Sequence, residues 1–152
     1  MKISTLPIRQ RGLALVEAVI TLPLLLFVML AAAEFTFAFV QHTTITKAAR
    51  DGARYAAEEA IDGTLTMDLN AALRDETRRL VVYGNKAGTG TPVVNNLSVS
   101  EVTVTDVGNN NIEVNVTYPY TGILGTVLPS FGYGSDISLI FSMSATVTMR
   151  AL

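Results

Sequence analysis

The chain contains no cysteine, which excludes disulfides, thiolate metal sites and a cysteine nucleophile and leaves packing alone to hold the fold. It has one histidine, His42. That removes most metalloenzyme layouts and every acid–base scheme needing two imidazoles, with only carboxylate chemistry left open. There is no excess of basic residues. Eleven Lys and Arg against thirteen Asp and Glu leave a net charge of −2, too little cationic surface to hold a polyanion by counterion release, so no nucleic acid is expected as a partner. Charge of either sign is scarce, at 16% of residues against 49% apolar, a balance that calls for contact with lipid. The 152 residues allow one compact domain with an extension.

The extension is at the N-terminus. Met1 to Gly12 carry Lys2, Arg9 and Arg11 and no acid, whereas from Leu13 to Val40 the only charges are Glu17 and Glu34. A helix over 13–40 would be about 42 Å long, against the roughly 30 Å of hydrocarbon in a bilayer. Cationic residues before the span and none closely after it until Lys47 predict a cytoplasmic N-terminus with everything beyond about residue 40 outside. A cleaved secretory signal ending at Ala31-Ala32-Ala33 is one alternative, but its apolar run would exceed the usual length. A plain signal anchor is another. It leaves Glu17 as an unexplained cost of about 2.5–3.5 kcal/mol at mid-membrane, less near the interface.

Arg11-Gly12-Leu13-Ala14-Leu15-Val16-Glu17 resembles the class III signal site of type IV pilins and pseudopilins, although Ala18 stands where many such proteins carry Phe or Tyr. Farther on, Ala48-Ala49-Arg50-Asp51-Gly52-Ala53-Arg54 resembles the stretch behind the membrane helix in TadE-like proteins, minor pseudopilins of the tight-adherence (Flp) pilus machinery. The likeness covers roughly residues 11–60. It implies that a prepilin peptidase cuts between Gly12 and Leu13, making Leu13 the mature N-terminus and Glu17 its fifth residue. Physically, loss of the cationic leader frees the apolar helix to move sideways into an assembly. Glu17 can then pair with the α-amino group of a neighbouring subunit, which neutralises two charges otherwise stranded among apolar helices.

Behind the span, Ile45, Ala48, Ala49, Gly52, Ala53, Ala56, Ala57, Ala60 and Ile61 recur at helical spacing, with Lys47, Arg50, Asp51, Arg54, Glu58 and Glu59 mostly off that stripe. A stripe of Ala and Gly lets another backbone approach closely. Within the chain the approaching backbone would be its own sheet or second helix; between chains it would be a neighbouring subunit. The stripe drifts by about 40° per four-residue step and so winds around the helix, which suits more than one neighbour. Arg50 and Arg54 read as a solvated face with i,i+4 pairing. Pro23 should kink or loosen the span. Glu34 reads as an interfacial acid and His42 as a solvated helix residue.

Asp62-Gly63-Thr64 should end the long helix. Leu65, Leu69, Ala72, Leu73 and Leu80 mark a second, capped by Thr64 or Thr66, with Asp68 in its first turn, Arg78 and Arg79 in its last, and Gly84 as its stop. Residues 84–92 read as a flexible connector. A strand over 97–105 with a bulge between Val99 and Val102, a turn at 106–111 and a strand over 112–118 predict a hairpin. Residues 119–136 form a long loop, and 137–149 alternate as one final strand. The fold class is therefore α+β and pilin-like: a long helix, a short helix and about three antiparallel strands. The domains are a leader (1–12), a transmembrane assembly helix (13–40), an external helical extension (41–62) and a head (63–152).

The resemblance implies a minor pseudopilin that helps to initiate, assemble or cap a pilus for surface attachment. It would do no chemistry of its own and need no cofactor or metal. Implied partners are a prepilin peptidase, other pilins and pseudopilins, an inner-membrane assembly platform and membrane lipid. The implied location is the bacterial inner membrane, single-pass, with a periplasmic head or incorporation into an extracellular pilus. The alternative is an anchored or secreted β-rich binding module unrelated to pili.

Overall fold

The computed structural model describes residues 8–61, 67–132 and 134–151, with the backbone alone for 8–11. One helix, α1, runs from Ile8 to Glu59, about 78 Å at the α-helical rise. It has two unlike halves. None of its most apolar 18-residue window is buried, and among the described residues Glu34 is the first buried one. From there the buried face passes through Gln41, Ile45, Ala49, Ala53, Ala56 and Ala60.

The second helix, α2, spans Ala71–Tyr83. Its cap is Asn70, whose side chain accepts the Leu73 N–H at 2.9 Å; Thr64, Leu65 and Thr66 lie outside the described residues, as do Asp62 and Gly63. Asp68 precedes the helix, and Arg78 and Arg79 fall short of its last turn. The buried face is Leu73, Thr77, Val81 and Val82, whereas Ala72 is exposed and Leu69 is buried ahead of the helix. Thr77 can be buried because its hydroxyl donates to the Leu73 carbonyl at 2.7 Å. Gly84 ends the helix with φ 70°, a left-handed position that glycine adopts without a steric penalty. The connector after it is braced rather than loose: the Asn85 amide donates to the Tyr83 and Thr89 carbonyls, and the Val93 N–H to Val82.

The main sheet is antiparallel throughout, with Asn111–Pro119 at its centre between Val102–Gly108 and Ser142–Arg150. β1 spans Val102–Gly108 and β2 spans Asn111–Pro119. Residues 99–101 form a single 3₁₀ turn instead of a bulged strand, since the Glu101 carboxylate takes the Ser98 N–H at 2.8 Å. The expected bulge lies at the other end, between Asp106 and Gly108. Asn109 and Asn110, at φ 54° and 58°, make the two-residue hairpin turn whose twist matches the strands.

The expected loop over 119–136 and the expected strand over 137–149 are both recast. Val127–Leu128 (β3) pairs with Ile137–Ser138 (β4) in a small ribbon, and only Ser142–Arg150 (β5) joins the main sheet. Within β5 the alternation holds, with Met143 and Ala145 inward and Ser142, Ser144 and Thr146 outward. The inner sheet face, Val102, Val104, Ile112, Val114, Val116 and Tyr118, joins α1 and α2 in one core. The fold is α+β, with a long helix, a short helix and a three-stranded antiparallel sheet.

Candidate functional site

Along the bare half of α1, Gly12, Leu13 and Glu17 are all exposed. A Cβ on Gly12 would meet nothing within 4 Å. The Glu17 carbonyl accepts a bond from the Thr21 hydroxyl one turn on, and its carboxylate lies on an open, otherwise apolar surface that includes Leu13, Val16 and Ile20. Pro23 lies inside α1, which is helical on both sides of it. Lys2 lies outside the described residues, and of Arg9 and Arg11 only the helical backbone is described.

In the small-residue motif, Ala49, Gly52 and Ala53 are buried, Ala48 is half-buried, and Arg50 and Arg54 are exposed. The buried side meets α2. A Cβ on Gly52 would come within 2.3 Å of Val81 Cγ2 and 3.5 Å of Thr77 Cγ2, so this glycine sets how closely the two helices lie. The stripe thus docks within the chain. The charged side stays out: Arg54 approaches Glu58 at 3.8 Å with both side chains well exposed, a contact of little energetic weight. Next to the motif, the Tyr55 hydroxyl donates to Glu76 at 2.7 Å, and Lys86 Nζ sits 4.2 Å from the centre of the Tyr55 ring. Burial, then the bond to Glu76, pushes the Tyr55 phenol above its ordinary value.

A third feature had no signal in local sequence. Glu34 is only 5% exposed, because the chain after β2 covers it. The Tyr120 hydroxyl donates to Glu34 Oε1 at 2.6 Å, and the Leu124 N–H points at Oε2 from 3.4 Å. A Cβ on Gly122 would fall 1.8 Å from Oε1, so a larger residue there would have to displace the end of the Glu34 side chain. Tyr120 stacks on Phe141 with ring centres 4.7 Å apart. Burial and then the bond to Glu34 push the Tyr120 phenol far above its ordinary value. His42 is an exposed helix residue, as expected, and its Nε2 also lies 3.3 Å from the Ser144 carbonyl of β5. Among the described residues no three of His, Asp and Glu gather as metal ligands.

An uncovered apolar half-helix, a single exposed acid near its start and a small-residue face behind it define a chain built around one long helix able to cross a membrane. Residues 12–54 match the family model described as TadE-like protein. The match contains Leu13, Glu17 and the whole Ala48–Arg54 motif. No curated protein and no solved structure matches the chain.

Proposed function

We propose that this chain is a minor pseudopilin of the tight-adherence pilus, anchored by α1 in the bacterial inner membrane with its N-terminus cytoplasmic and its head periplasmic. Prepilin peptidase cuts between Gly12 and Leu13. The chain then joins other pilins on an inner-membrane platform, where it helps to start, assemble or cap the filament for surface attachment. It does no chemistry of its own. The observation that carries this reading is Glu17, an acid left open on a bare apolar helix, inside the segment that matches the family. A lone carboxylate there is a cost unless a partner cation removes it, and the α-amino group of a neighbour beginning at Leu13 supplies one. Pro23 removes one helical hydrogen bond, which gives the helix a point at which to adjust as it packs.

The test is Gly12→Asp in the native host. The substitution changes the cleavage position while leaving the span intact, and the expected result is loss of processing together with loss of surface pili. Normal maturation of that variant would contradict the proposal.

A further inference from the structure

The chain from Pro119 to Phe141 hangs beside the part of α1 where the bare half ends. A cavity of about 420 Å³ lies between them, lined from the helix by Phe27, Ala31 and Phe35 and from the other side by Leu128, Ile137 and Phe141. The outward side of this segment is also apolar: Ile123 is 61% exposed, Ile140 74% and Phe141 47%. Over its whole length it carries one charge, Asp136, and that carboxylate is tied back to the Ser130 N–H at 2.9 Å.

The depth of this segment follows from the helix. Counted from Leu13, about 30 Å of hydrocarbon is used up near Ala33. Exposed apolar residues of α1 nevertheless continue through Phe35, Phe39 and Val40, roughly 10 Å farther. The apolar segment stands opposite this surplus, and Phe27 and Ala31, which line the shared cavity, belong to the span itself. Glu34 falls within the same band, and Tyr120, Gly122 and Leu124 cover it.

We propose that residues 119–132 and 134–141 form a foot that rests in the bilayer leaflet nearest the head, with Ile123, Ile140 and Phe141 against lipid acyl chains and the Glu34 carboxylate screened from them by Tyr120. The proposal rests on reading α1 as a membrane span. Its occupant is lipid because the foot extends the apolar surface of the span itself, and because an exposed apolar surface at that depth is stable against acyl chains and unfavourable against water.

The chain has no tryptophan, so any one introduced reports alone. Full-length Leu25→Trp, Ile140→Trp, Ile123→Trp and Thr105→Trp variants are placed in phosphatidylcholine nanodiscs, with and without brominated acyl chains, the bromine lying in the upper half of the chains in one set and near the chain ends, at the depth of Leu25, in another. All four sites are exposed, and circular dichroism checks that each variant keeps the native helix content. Leu25 reports on the span, Ile140 and Ile123 on the foot, and Thr105 on the far side of the sheet. The expected result is loss of emission on bromination for the span and foot reporters, with none for Thr105. If Leu25→Trp is quenched while both foot reporters behave like Thr105→Trp, the foot is wrong and the span stands. An unquenched Leu25→Trp overturns the span and the foot with it. Foot reporters that ignore bromine but shift to the blue as protein-to-lipid ratio rises assign the surface to a second copy of the chain and overturn the lipid proposal.

Discussion

Glu34 carries the clearest lesson about single side chains. As a sequence position it reads as an acid near the membrane surface; in the fold it is buried, and its partner Tyr120 comes from a segment 86 positions away, which no local pattern reveals. Removing the donor should be costly. A hydrogen bond to a charged acceptor contributes about 1.5–3 kcal/mol, so Tyr120→Phe is expected to lower unfolding stability by about that amount in denaturant titration of the full chain. The buried Tyr120 phenol also makes stability depend on alkaline pH. The Tyr120 phenol is raised from an ordinary 10.0 by burial and then by Glu34, so the folded state holds the proton more tightly than the unfolded one. Its contribution is complete below pH 10.0 and is lost as pH rises through the higher folded value. Stability measured across that range should fall, and fall less steeply in Tyr120→Phe. Gly52 was legible as part of a small-residue stripe, though not which backbone it faces. Gly52→Ala gains about 1 kcal/mol of helix propensity but forces a methyl against the buried, branched Val81, an overpacking worth about 1–3 kcal/mol. A net loss of about 1 kcal/mol is expected. Val81→Ala in the same chain should relieve the clash, so the double variant should lose less than the sum of the two.

Helices and strands were readable wherever one period dominated. The alternation in 112–118 gave β2, that in 142–149 gave the inner and outer faces of β5, and Gly84 gave the end of α2. Reading failed where a polar side chain does the work of an apolar one or where a continuous pattern is divided between two partners. Thr77 is buried on α2 because it satisfies its own hydroxyl. Residues 137–149 share one alternation, yet the β2–β5 register stops at Pro119 opposite Ser142, and Ile137–Ser138 pairs with β3 instead. Several residues able to cap a helix, Thr64 and Thr66 among them, precede the apolar face, and Asn70 is the one that caps α2. Loss of such a cap costs about 1 kcal/mol. Asn70→Ala should therefore lower stability by about that much, measured by thermal unfolding, whereas Asn70→Asp should be nearly neutral.

In the molecule as a whole, one helix does two jobs. Its second half is the core element on which α2 and the sheet pack, while its first half is bare and carries Glu17. The composition already announced this division, because so few charges cannot surround a fully soluble domain of this size. What composition did not disclose is how far down the helix the head reaches: among the described residues the first buried one is Glu34, inside the expected 13–40 span. Glu17→Ala leaves the cleavage position and the head untouched, so it should be processed normally and fail to support surface pili when these are counted by electron microscopy. Normal pilus numbers would leave the acid without the pairing role assigned to it.

The pairing requires a free amine at one place only, the residue that follows Gly12. Intact mass spectrometry of the protein purified from its native host reads this directly. The expected product begins at Leu13, lacking residues 1–12. A chain that starts at Met1, or one shortened to Glu34, would contradict the account.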